Sequence, residues 1–120
     1  MPNGVPLSSL RVNCDGAFSS FRGLAAFCTN ARDSGESTLW WFDRIKAGSA
    51  LYVEAWALRV ACQLAHEKNY QNVIFELNCM DVVNCLNGSR KKGPWEIITL
   101  VDDVKPRAAV RQWHFSRYST

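Results

Sequence analysis

Leu10-Arg11-Val12-Asn13-Cys14-Asp15 alternates apolar and polar side chains, the period-two signature of a strand with one face toward a core. Gly16 interrupts the alternation and predicts its end. On the N-terminal side, residues 1–9 hold Pro2, Gly4 and Pro6 and read as an irregular leader. On the other side, Gly23-Leu24-Ala25-Ala26-Phe27-Cys28-Thr29 is a second apolar run, closed by the turn-forming Arg32-Asp33-Ser34-Gly35. Thr38-Leu39-Trp40-Trp41-Phe42 is a third, rich in the aromatic residues that suit strands. Three strands joined by short turns imply an antiparallel meander.

The period then changes. Leu51, Ala55, Leu58, Cys62 and Ala65 recur at spacings of four and three, the inward stripe of an amphipathic helix over 50–68, with Ser49 placed to cap it. Val73-Ile74-Phe75-Glu76-Leu77 has the short apolar character of a buried strand. A second helix is predicted from Cys79 to Leu86, ended by Asn87-Gly88, because glycine suits the position just past a helix. Pro94 suits the first turn of a third helix running through Trp95, Ile98 and Val101. Pro106 should stop that helix at Lys105. Ala109 to Phe115 then reads as a last strand. The order β-β-β-α-β-α-α-β predicts an α/β domain: a mixed sheet with helices packed on it.

The 120 residues suit one domain, and a hydrophobic content of 48% is that of a globular chain. Fourteen basic against eleven acidic residues leave +3, which permits a polyanionic partner without requiring one. The five cysteines, Cys14, Cys28, Cys62, Cys79 and Cys85, form no CxxC pair. They are expected to be reduced, mostly buried thiols rather than metal ligands or a disulfide framework. No apolar stretch is long enough to span a bilayer, and the first ten residues lack the pattern of a signal peptide. An intracellular protein, cytoplasmic or nuclear, is the resulting expectation.

Three positions carry candidate chemistry. Asp15 ends an apolar strand, where an acid can point into a cleft, although Asp-Gly is also an ordinary turn dipeptide. Glu54 lies beside Leu51, Ala55 and Leu58 near the apolar side of its helix. A carboxylate there must find a hydrogen bond, a metal or the edge of the face. Asn78 lies between a buried strand and a helix, where a helix cap would account for it. His66 and His114 fall in no recognisable nucleophile setting.

Taken together, Asn13-Cys14-Asp15-Gly16-Ala17-Phe18, then Glu54-Ala55-Trp56-Ala57-Leu58, then Phe75-Glu76-Leu77-Asn78-Cys79-Met80-Asp81-Val82-Val83 resemble the motifs of the ribonuclease H superfamily, most of all its plant and retroelement-derived members. The later Trp95-Glu96-Ile97-Ile98 agrees, and the resemblance spans about residues 10–117. It implies a ribonuclease H-like fold: a five-stranded mixed sheet, three strands antiparallel and the rest parallel, with flanking helices. It also implies Mg²⁺-dependent hydrolysis of the RNA strand of an RNA–DNA hybrid, with acidic side chains holding two Mg²⁺ ions. Asp15 matches the family's first acid and Glu54 its second.

Asn78 stands where the third acid is an aspartate, which removes one negative charge from the implied site. Asp81 lies about a helical turn further on. The fourth acid and the closing C-terminal helix that carries it have no counterpart before Thr120. The 10–120 domain therefore reads as C-terminally truncated, with part of one sheet face left uncovered and open to self-association. Arg90, Lys91 and Lys92 form a basic loop expected to meet phosphates, and Trp95 is expected to anchor the third helix in the core. Three readings stay open: a hybrid-cleaving ribonuclease, a non-catalytic nucleic-acid-binding module, and a degenerate fragment acting only through protein partners.

Overall fold

A computed structural model describes residues 10–19, 21–33, 35–88 and 95–118. The expected leader at 1–9, the basic loop Arg90, Lys91 and Lys92, and the side chain of Trp95 lie outside the described residues. Among the described residues five strands and three helices follow in the expected order: β1 (Arg11–Ser19), β2 (Leu24–Asp33), β3 (Glu36–Lys46), α1 (Ala50–Glu67), β4 (Ile74–Leu77), α2 (Met80–Leu86), α3 (Trp95–Arg111) and β5 (His114–Arg117). The sheet order is β3-β2-β1-β4-β5. β1, β2 and β3 are antiparallel, whereas β4 pairs parallel with both β1 and β5. This is the mixed sheet the sequence predicts.

α1 packs mainly on β1 and β2, α2 on β4 and β5, and α3 on α1 and α2. Alternation along the strands shows which face α1 covers. Val12 and Cys14 of β1 are buried, as are Ala25, Phe27, Thr29 and Ala31 of β2, while the residues between them are more accessible. α1 lies between the sheet and α3, so burial extends around it beyond a single stripe. Val53, Ala57 and Ala61 join Ala55, Leu58, Cys62 and Ala65 in the core, and Leu51 is only half-buried. Its four buried alanines keep the helix close to both neighbours. The Ser49 hydroxyl accepts the Tyr52 N–H at 3.1 Å, as a capping residue should.

Three local expectations are corrected. Gly16 does not end β1, which stays paired with β2 as far as Ser19↔Leu24. Long-range pairing overrides the local turn signal there. Pro106 does not stop α3, which runs on to Arg111. The proline is exposed, so the carbonyl it leaves unbonded can face water, while Ile97, Leu100, Val101 and Val104 before it and Ala108 after it anchor the helix in the core. Residues 109–111 are consequently helical, and the last strand begins only at His114. Gln112 makes the break, with φ of 57°. The Trp113 indole then donates to the Tyr70 carbonyl at 2.9 Å.

Cys14, Cys62 and Cys85 are buried, as expected, while Cys28 and Cys79 are partly exposed. Burial pushes the Cys14 and Cys62 thiols well above their ordinary range, which keeps them protonated and unreactive. No helix among the described residues is long and apolar enough to cross a membrane.

Candidate active site

The three parallel strands β1, β4 and β5 end on the same side of the sheet. Cys14↔Leu77 is the last pair between β1 and β4. Beyond it β4 stops while β1 continues along β2, so Asp15 and Gly16 have no strand partner on the β4 side. Asn78 is the first residue past β4, just beyond that last pair. Asp15 and Asn78 therefore both lie at this end of the sheet, where β4 stops and β1 goes on, leaving a notch beside Asp15. Such a notch at the carboxyl ends of strands is where ligands bind in open α/β sheets.

Glu54 reaches the same notch from α1. Gly16 explains how close the helix comes: a Cβ built at this position would lie 2.5 Å from Val53 Cγ1 and 3.6 Å from Glu54 Oε1. Only glycine accommodates that approach. The Gly16 N–H donates to the Glu54 carboxylate, which stabilises its charged form. Burial acts in the other direction, helped by the negative charge of Asp15, and the net effect pushes Glu54 up from 4.5 to about 7. Its Oε2 is buried without a hydrogen-bond partner. A carboxylate oxygen left this way, next to a second acid, calls for a proton or a cation. Asp15 itself is exposed.

Asn78 is exposed in the bend after β4. It does not cap α2, because the N-cap residue is Cys79, which makes no side-chain capping bond. The helix-cap explanation of Asn78 is thereby removed. Asp81 lies in the first turn of α2. The structure thus brings positions 15, 54 and 78 to one end of the sheet. All three offer hard oxygen donors, which fit a cation such as Mg²⁺. Among the described residues no group of three His, Cys, Asp or Glu side chains could hold a metal, so the set rests on two carboxylates and one amide.

Glu76 is a residue whose role the sequence left unread. It is 5% exposed in the middle of β4. Arg32 donates to its Oε1 at 2.5 Å and Arg11 to its Oε2 at 3.4 Å. An acid inside an otherwise apolar strand was the available signal. Its partners, 65 and 44 residues away, could not be read from that strand.

A family model described as reverse transcriptase-like matches residues 13–115. No curated protein matches the chain. Among solved structures it is similar to ribonuclease H1 from the halophilic archaeon Halobacterium salinarum, with a TM-score of 0.80 at 16% identity, covering 92% of this chain and 85% of that one. It is also similar to the N-terminal RNase H domain of a Mycobacterium tuberculosis protein, with a TM-score of 0.77 at 14% identity, over 92% of this chain and 82% of the other. A third is LC11-RNase H1 in complex with an RNA/DNA hybrid, with a TM-score of 0.74 at 15% identity, over 92% and 85%. At such identities the likeness is one of fold.

Proposed function

The chain belongs to the reverse transcriptase-like family, within the ribonuclease H superfamily, and from that premise we propose that it binds RNA–DNA hybrids and hydrolyses their RNA strand at the notch formed by Asp15, Glu54 and Asn78. The observation that carries this reading is the buried, unpartnered Oε2 of Glu54 beside the charge of Asp15. An isolated structural glutamate would not be held there at such cost. The solved neighbour carrying an RNA/DNA hybrid supports the substrate class.

Asp15 and Glu54 would hold Mg²⁺, with the Asn78 amide oxygen as a neutral third donor. When bound, the metal supplies Lewis-acid stabilisation of charge on the phosphate and a more acidic water. The chain's own residues do the remaining work. Gly16 N–H fixes the direction of the Glu54 carboxylate. Asp15 supplies the exposed negative charge, and the packing of Val53 on Gly16 sets the spacing between helix and strand. With a neutral amide at position 78, cation affinity is lower than three acids would give. The Arg90-Lys91-Lys92 loop is proposed to contact phosphates, and binding should weaken as salt rises.

A cleavage assay on a labelled RNA–DNA hybrid with Mg²⁺ or Mn²⁺ tests the proposal. Cleavage by the wild type, its loss in Asp15→Asn, and tighter Mg²⁺ binding by calorimetry in Asn78→Asp are expected. Activity unchanged in Asp15→Asn would sink it. A second reading, a hybrid-binding module without catalysis, is favoured by the absence of a third ionisable ligand among the described residues. Hybrid binding without cleavage, even in Mn²⁺, would select that reading.

A further inference from the structure

We propose that the sheet face opposite α1 is a second nucleic-acid surface, one that takes single strands. Over β1 and β2 the buried residues, Val12, Cys14, Ala25, Phe27, Thr29 and Ala31, all lie on the other face, where α1 packs. Strand register places on the proposed surface the pairs Arg11↔Arg32, Asn13↔Asn30, Asp15↔Cys28 and Ala17↔Ala26, and extends them to Phe42, Arg44 and Lys46 of β3. Phe42 is 57% exposed, and Arg44 and Lys46 are also exposed.

The surface has organised parts. Beside Phe42 is a hollow of about 160 Å³ lined by Asp15, Gly16, Ala17, Ala26, Phe27 and Cys28. Small side chains next to an exposed ring leave room for a planar group to stack. Along β1 and β2, Arg11 and Arg32 are held by Glu76 with their side chains 39% and 44% exposed, and Arg32 lies 5.9 Å from the centre of the Tyr118 ring. Their guanidinium groups are thus positioned in advance while remaining accessible. Arg11, Arg32, Arg44 and Lys46 outweigh Asp15 and Glu76 on this face, leaving two positive charges in excess.

Charge decides the occupant. A second copy docked by two-fold symmetry would set this cationic face against itself. A polyanion with flat bases meets both features: cations track its phosphates, and the ring and hollow receive a base. An exposed aromatic with flanking cations is how single strands are held without sequence readout. The surface shares Asp15 with the carboxylate site, but Phe42, Arg44 and Lys46, the residues varied below, take no part in that site.

The test is fluorescence anisotropy with labelled oligothymidylate and oligouridylate of about 15 nucleotides, at a series of salt concentrations. Phe42→Ala should weaken binding about tenfold, with recovery in Phe42→Tyr. Arg44→Gln combined with Lys46→Gln should reduce the slope of log affinity against log salt by about 1.4. Retention of affinity by oligothymidylate alone or by oligouridylate alone would narrow the single strand to DNA or RNA and still support the surface. Absence of binding by the wild type, or affinity unchanged in both Phe42→Ala and the glutamine pair, would overturn it. A dimer in sedimentation that the same variants dissociate would assign the face to a second copy and overturn it as well. Hybrid cleavage is read separately, so each proposal can fail alone.

Discussion

Gly16→Ala places one methyl group where α1 meets β1. The added carbon would lie 2.5 Å from Val53 Cγ1, whereas ordinary contact begins at 3.4 Å, so about 1 Å must be found. Val53 cannot easily turn aside, because a β-branched residue in a helix has one strongly preferred rotamer. Either α1 retreats or Val53 is strained, and overpacking of this kind costs about 1–3 kcal/mol. Replacing a strand glycine recovers about 0.5–1 kcal/mol of backbone entropy. The steric term wins, leaving a net loss of about 1–2 kcal/mol. Urea denaturation should show it as a midpoint lowered by roughly 0.5–1 M. Val53→Ala alone should also destabilise, by about 2 kcal/mol from lost burial. Combined with Gly16→Ala it should cost less than the sum, because the clash is gone, with a coupling of about 1–2 kcal/mol. Strict additivity, or a Gly16→Ala protein as stable as the wild type, would refute the close-approach argument.

Other consequences follow from the same contacts. Glu54 keeps its proton in the folded state up to about pH 7 but releases it near 4.5 when unfolded, so stability should fall as pH rises through that window and level off above it. The carboxylate is partly solvated, so the effect is about 1 kcal/mol. Glu54→Gln should flatten it in thermal melts between pH 4 and 8, and parallel curves would refute the assignment. For the buried ion pairs, Arg11→Gln with Arg32→Gln strands a buried charge and should cost about 3–5 kcal/mol. Glu76→Leu leaves two half-exposed arginines free to rehydrate and should cost less. The reverse order in chemical denaturation would show that the arginines do not neutralise Glu76. Pro106→Ala restores a helix hydrogen bond on the exposed side of α3 and should stabilise by about 1–2 kcal/mol, less than the full helix penalty because the unfolded chain gains freedom. A lower melting temperature would mean the proline is needed to shape α3.

Much of this protein follows from local pattern. Alternation around Arg11–Cys14, the 3–4 spacing of Ala55, Leu58, Cys62 and Ala65, and the apolar run ending at Leu77 fix element type, because side-chain burial repeats with each element's own period. The ends of elements were less legible. Gly16 and Pro106 carry strong local stop signals, yet pairing with β2 and anchoring by Ala108 overrule them. Asn78 looked like a cap until the N-cap fell on Cys79. Only the tertiary structure decided that Asp15, Glu54 and Asn78 lie at one end of the sheet, that Glu76 is held by two distant arginines, and that the cations of β1, β2 and β3 line up on one face. Each of these depends on strand order and on which side the helices pack. Those are set by contacts between residues tens of positions apart, which no local period records.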